Sequence, residues 1–194
     1  MTSAIHLFDD YYFITVSHAE FQEVFRTNRK IVFADSLDLH MRKVCTEDEM
    51  NIFRHLNATP PNLYTLDILI KKEEAIVGWA TGIQITSDTY QMSNTGIFEA
   101  HRHKGIYKTF LPKILKIVAE TGFQKVVSYH HPSNNTVIIP KLKAGFIITG
   151  MKLTDDFGTL VELTYFINTK RKKVIDFRSG FKKPDDEIKE ILEM

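Results

Sequence analysis

Apolar and polar positions change period repeatedly along the chain, and each change predicts an element. Residues 11–16, YYFITV, are aromatic and β-branched and predict a strand. Ser17 follows, with Glu20 three positions on. That capping box opens a helix through about Arg29, with Phe21, Val24 and Phe25 on one face. The stretch RKIVFADSLDLHMRKVC fits no single period. Thr46 with Glu49 repeats the capping box and predicts a short helix through His55. NATPPN ends it, because proline removes a donor and restricts the residue before it.

The pattern then turns to strands. Residues 63–85 carry two apolar runs around a charged turn at 71–74 and predict a hairpin, and YQMSNTGIFEA predicts a third strand. Residues 104–120 place Ile106, Phe110, Leu111, Ile114, Leu115 and Val118 at helical spacing, with Gly122 as the stop. FQKVVSYH reads as a strand. PSNNTVIIPKLKAGF reads as a short helix with polar N-cap candidates and Gly145 as terminator, which Pro140 either kinks or shortens. FIITGMKL and TLVELTYFI flank the turn TDDFG as two last strands. The tail, 169–194, starts with the basic run KRKK, expected to be solvated, and ends in a helix-like PDDEIKEILEM. The fold class predicted is α+β: a mixed sheet with helices on its faces rather than regular βαβ units.

Composition narrows the picture only slightly. The 194 residues are 43% hydrophobic and 25% charged, which is ordinary for a globular chain, with a domain at 1–168 and an extension at 169–194. A net charge of +1 gives no global pull toward nucleic acid or an anionic membrane. Cys45 is the one cysteine, so no internal disulfide forms, and its expected role is that of a half-buried small hydrophobe. Met41, Met50, Met92 and the phenylalanines are expected in the core. No apolar run reaches membrane-spanning length and the start lacks a secretory pattern, so a cytoplasmic protein is expected.

Against this neutral background one stretch stands out: IFEAHRHKGIYKTFLPKIL. It crowds His101, Arg102, His103, Lys104 and Lys108 around Gly105 at the mouth of a helix. A helix N-terminus has unsatisfied N–H groups and about half a positive charge. It holds a phosphate where the backbone comes close, and glycine permits that approach. A solvated basic helix start is the plain alternative.

RHKGIY between a strand and a helix resembles the pyrophosphate loop of the GNAT superfamily of acyl-CoA-dependent N-acyltransferases, with Tyr107 where that family has Gly or Ala. EEAIVGWATG is similar to its second and third strands, with a Val77, Gly78, Trp79 step. NNTVIIPKLKAGF resembles its segment running from Asn to Gly-Phe. The resemblance covers about residues 10–168. It implies a central mixed, mostly antiparallel sheet flanked by helices, with acetyl-CoA or another acyl-CoA as co-substrate and no metal. It further implies that Thr95, Gly96 and Ile97 bond the pantetheine arm through their backbone. The amides of His103, Lys104, Gly105, Ile106, Tyr107 and Lys108, beside Arg102, would cradle the pyrophosphate, with the Tyr107 ring pointing outward or shaping the pocket. Asn134 would bond the cofactor beyond the thiol, although it or Asn135 equally suits an N-cap.

The family's usual acid, a Tyr on the late helix, is matched by Lys141, and a frequent Glu base is matched by Tyr129. Substitute candidates are Tyr129 as proton donor and His131 as base, placed on one strand face by the two-residue period, with His130 opposite. Glu99 sits at the edge of the site and is expected to pair with Arg102. The activity implied is N-acetyl transfer to a small-molecule or peptide amine. A non-catalytic CoA-binding sensor of the same fold and an unrelated phosphate- or nucleic-acid-binding module are the alternatives. The late strands could also pair two chains as a homodimer.

Overall fold

The computed structural model describes residues 4–34, 41–58 and 62–194, without the side chains of 41–42, 53 and 55–58. In chain order the elements are β1 (Ile5–Phe8), β2 (Tyr11–Thr15), α1 (His18–Val32), α2 (Met41–Val44), α3 (Glu47–Ala58), β3 (Thr65–Lys72), β4 (Ala75–Gln84) and β5 (Thr89–Ile97). A one-turn 3₁₀ helix (Glu99–His101) leads to α4 (Ile106–Glu120), β6 (Lys125–His130), α5 (Asn135–Lys143), β7 (Ile147–Thr154), β8 (Gly158–Phe166), α6 (Thr169–Arg178) and α7 (Asp186–Ile191). The strands form one sheet in the order β1-β2-β3-β4-β5-β6-β8-β7, and every neighbouring pair is antiparallel except β5 with β6.

Both capping boxes form as the spacing predicts. Glu20 Oε2 accepts from Ser17 N at 2.9 Å, and Glu49 Oε2 from Thr46 N at 2.7 Å. The helix after Ser17 runs past Arg29 to Val32, and Pro140 sits inside α5 without ending it. β1 has no forecast in the apolar pattern; it adds an edge to β2. The helix opened by Thr46 runs past His55 to Ala58, and the stretch that fits no single period divides between the end of α1 and α2; residues 35–40 of that stretch and 59–61 of NATPPN, the expected break, lie outside the described residues.

Side-chain alternation splits the core between the two faces of the sheet. On one face α4 and α5 cover a large cluster that includes Phe13, Ile68, Ile70, Val77, Phe110, Val126, Ile138, Phe146 and Leu163. On the other face α1 brings Phe21 onto Leu69 and Trp79, and Trp79 is fully buried with Phe25, Phe33 and Phe98 edge-on around it. Trp79 explains a glycine: a Cβ on Gly96 would stand 2.5 Å from its ring. Not every phenylalanine is core, since Phe157 and Phe181 are exposed, and Met50 is only half-buried. β7 is an edge strand with Ile148, Met151 and Leu153 exposed, the place where pairing through the late strands would fall.

The basic run departs from expectation. KRKK is the first part of α6, capped by Asn168, and its cations are paired rather than free in solvent. Arg171 meets Asp88 beside β5, Lys172 meets Asp176, and Lys170 and Lys173 meet Glu187. These contacts dock the tail on the sheet and on itself. Among the described residues no helix is long and apolar enough to cross a membrane.

Candidate functional site

The sheet is nearly torn between β5 and β6. The two strands pair only at Thr89–Lys125, Tyr90–Val126 and Gln91–Val127, after which β5 runs on to Ile97 and β6 to His130 without meeting. From Met92 onward the edge of β5 that faces β6 therefore has no sheet partner. Its other edge carries a bulge: Thr81 pairs with Asn94 and Gly82 with Met92, leaving Ser93 unpaired.

The fork leads to the start of α4. Gly105 is the N-cap in the left-handed region at φ 87°, and it offers no side-chain cap. His103 also has a positive φ, 61°, and alternating turns of this kind gather successive N–H groups into a concavity. The first helical donor to find a partner is Thr109 N, on Gly105 O at 3.1 Å. The amides of Ile106, Tyr107 and Lys108 precede it. The first turn of α4 holds no acid, and a Cβ added to Gly105 would meet nothing within 4 Å. A diphosphate fits this cradle: bare amides, an open approach, and Lys104 and Lys108, which have no ion pair among the described residues.

No protein-family model matches the sequence, and no curated protein does. Solved structures do. A ribosomal-protein-S5-alanine acetyltransferase from Vibrio fischeri superposes with a TM-score of 0.62 at 12% identity, over 86% of this chain and 97% of that one. A GNAT family acetyltransferase from Elizabethkingia anophelis, solved with acetyl-CoA bound, gives 0.56 at 14% identity over 82% and 100%. A ribosomal L7/L12 α-N-protein acetyltransferase in complex with coenzyme A gives 0.60 at 15% identity over 86% and 99%. The fold is that of the GNAT acyltransferases.

Within this GNAT fold the basic turn divides into two kinds of residue. Arg102 is a tie: its Nε donates to Ile97 O at 2.9 Å and its Nη2 to Val32 O at 3.0 Å, so the guanidinium fastens the loop to β5 and to the end of α1. It does not pair with the Glu99 carboxylate. His101 faces Tyr11 on β2, Nδ1 to hydroxyl 2.9 Å, and burial with Lys104 and Lys72 nearby holds its pKa down. The Tyr107 ring does not point outward; it packs against the main core, and burial raises its hydroxyl pKa. His103, Lys104 and Lys108 remain exposed.

Asn134 is the N-cap residue of α5, yet its side chain caps no amide; Oδ1 accepts from Thr136 Oγ1 at 2.7 Å. Tyr129 donates its hydroxyl to Glu162 Oε2 at 3.0 Å, and burial and that carboxylate raise its pKa. Glu162 also accepts from Thr149 Oγ1 at 2.6 Å. β6 ends at His130, so His131 is exposed one residue beyond the strand, and the alternation that would align it with Tyr129 does not reach it.

Two buried polar clusters were not foreseen as clusters from the sequence. On the α1 face, Asp67 is buried, with Oδ2 2.7 Å from His18 Nδ1 and Oδ1 accepting from Thr81 Oγ1 at 2.5 Å. The signal was a carboxylate inside LDILI. On the opposite face Lys141 is 1% exposed, with Nζ 2.7 Å from Ser128 Oγ, and His130 Nε2 lies 3.1 Å from the same oxygen. Here the signal was Ile138 and Lys141 at i and i+3, which puts a lysine on an apolar stripe.

Proposed function

We propose that this protein is an acyl-CoA-dependent N-acyltransferase, moving an acetyl group from acetyl-CoA, or a related acyl group, to a small-molecule or peptide amine in the cytoplasm. The observation that carries the reading is the continuity of the fork with the bare N-terminus of α4. The arm between a pyrophosphate and the thioester sulfur of acyl-CoA has eleven chain atoms. That is about four residues of extended backbone, or roughly 13 Å. Laid from the α4 terminus along the free edge of β5, it reaches from Ile97 to the bulge at Ser93.

In this reading the backbone of Thr95, Gly96 and Ile97 bonds the arm as an added strand would. The amides of His103, Gly105, Ile106, Tyr107 and Lys108 hold the diphosphate, with Lys104 and Lys108 supplying charge. Arg102 acts from behind by fixing the loop. Asn134, at the mouth of α5, bonds the arm near its sulfur end. The amine arrives from the α1 face. There the Tyr129–Glu162 pair and the His18–Asp67–Thr81 cluster are the polar groups able to orient it, with His131 exposed at the rim. Held in line with the thioester, a neutral amine gains much of its rate from proximity alone.

The test is calorimetric titration of acetyl-CoA into the wild type and Gly105→Glu, with transfer to an amine panel followed as thiol release. Binding at micromolar strength that the variant loses while staying folded supports the reading. No binding to the wild type refutes it. Binding without transfer to any amine favours the non-catalytic CoA-binding alternative.

A further inference from the structure

The strands of the fork part after Gln91 and Val127, so Met92 and Ser128 are the first residues beyond the last paired rung. One amine touches both. Lys141 Nζ donates to Ser128 Oγ at 2.7 Å and lies 3.4 Å from Met92 Sδ. The lysine is 1% exposed, and the centroid of the Phe146 ring is 4.8 Å from its nitrogen. Beyond the Ser128 oxygen, at 3.1 Å, comes Nε2 of His130, half-buried at the end of β6. Amine, hydroxyl and imidazole thus form a line from the point of the fork to the end of the strand. His130 is the titratable group that faces the amine from β6. From β5 the amine meets only a thioether, and from the chain after α5 only a ring. No carboxylate enters the group among the described residues.

An amine held in this way differs in kind from a surface lysine. An exposed lysine at pH 7 has roughly one part in a few thousand in its neutral, nucleophilic form. Burial brings the Lys141 pKa down to about 7, so that form is a large share of the molecules. His130, at about 3, stays neutral and keeps one ring nitrogen free to accept. The acyl-CoA arm, laid along the free edge of β5, ends at Ser93, one residue short of the Met92 that the amine touches. A thioester at the end of that arm arrives beside a nucleophile.

We propose that Lys141 is a self-acylation site, its Nζ taking the acyl group of bound acyl-CoA when no acceptor amine is in place. The proposal rests on the acyl-CoA reading above. The lone pair of Nζ forms a bond to the carbonyl carbon, and the C–S bond breaks with its electron pair on sulfur. The nitrogen sheds one proton to Ser128 Oγ, the hydroxyl passes its own to His130 Nε2, and His130 Nδ1 releases one to water. The thiolate leaves and takes up a proton from water. The products are an Nε-acyl-lysine and free coenzyme A, with the imidazole in its other tautomer. The amide nitrogen carries no charge, so the cost of a buried ammonium without a counter-ion disappears. An amide, unlike a thioester, does not pass its acyl group on to an amine. The reaction therefore runs one way, and it proceeds when the donor is present and the acceptor is not.

The test needs no acceptor. Wild type, Lys141→Met and Lys141→Gln are incubated with acetyl-CoA at neutral pH in a buffer free of amines, and modification is followed by intact mass and peptide mapping. The wild type is expected to gain the mass of one acetyl group, mapped to Lys141. It should form at least about tenfold faster than on any exposed lysine, because thioester and amine react within one complex. Neither variant should gain it. Acetyl-CoA bound by the wild type, with Lys141 unmodified or modified no faster than the exposed lysines, overturns the proposal and leaves the acyl-CoA reading intact. Failure of the wild type to bind acetyl-CoA overturns both. Mapping on the wild type decides the matter by itself if a variant does not fold.

Discussion

Replacing Lys141 by methionine measures what its burial costs the fold. In the unfolded chain the amine titrates near 10.5, and in the folded chain burial lowers it to about 7. At pH 7 the unfolded state holds one proton more firmly than the native state. The native state is therefore penalised by about 4 kcal/mol, at roughly 1.4 kcal/mol per pH unit of difference. The sign is fixed by proton counting. Between pH 7 and 10.5 the unfolded state binds more protons, so this lysine lets stability rise with pH until the amine is neutral in both states. Below pH 7 the penalty is constant. Methionine carries no such term and fills a similar volume beside Met92 and Phe146. The stability difference between Lys141→Met and the wild type should thus be largest at and below pH 7 and shrink by about 3 to 4 kcal/mol by pH 10. His130 loses the lysine's charge in the variant, but burial, the larger cause of its low pKa, remains in both proteins and keeps it neutral in the fold over this range; groups away from this cluster titrate alike and cancel. Urea denaturation of both at half-unit steps from pH 6.5 to 10 gives the difference curve. A difference independent of pH would refute the reasoning, since it would mean that the ammonium is not desolvated in the native state.

Other outcomes can be checked independently. Gly105→Glu should fold, since its Cβ meets nothing within 4 Å, but lose about 1 kcal/mol from its left-handed φ, readable as a lower melting temperature, along with its affinity for acetyl-CoA. Gly96→Ala should destabilise by about 1 to 3 kcal/mol because its methyl collides with the immobile Trp79 ring; an unchanged melting temperature would show that the ring can move. Asp88→Ala should free Arg171 and raise the protease sensitivity of the tail. Arg171, Thr89 and Thr86 hold the Asp88 carboxyl well below the usual carboxylate range. Its contribution is therefore present above the unfolded value of about 3.9 and lost as pH falls toward the folded one. Ser17→Ala should cost about 1 kcal/mol in chemical denaturation through the lost cap on α1.

What could be read from the sequence was local. Ser17 with Glu20, and Thr46 with Glu49, are pairs that act within one helical turn, so spacing was enough to predict them. The apolar stripe of α4 and the hairpin around Glu73 were visible for the same reason. What escaped depends on partners distant in sequence. Arg102 and His101 read as ligands for an anion because the one local partner in view was Glu99, and the groups that also engage them are remote in sequence. Their partners, Val32 and Tyr11, arrive from 70 and 90 residues away. KRKK read as solvated because Asp88 comes from beside β5 and Glu187 from the following helix. Lys141 was seen only as a departure from the expected tyrosine, and its burial follows from α5 lying across the fork. That requires the tertiary fold. The Tyr129 and His131 alignment assumed a strand one residue longer than β6.

The short seam between β5 and β6 also bears on how long such a molecule survives. Five strands lie on one side of it and three on the other, joined by three rungs of sheet and by the side chains packed across. A ligand laid along the free edge of β5 stitches the two parts, and its binding free energy adds directly to folding stability, about 2.7 kcal/mol at a hundredfold excess over its dissociation constant. On the proposed function, scarcity of that ligand should let the halves part more often and expose unpaired strand edges to proteolysis, so that added acetyl-CoA should slow digestion of the purified protein.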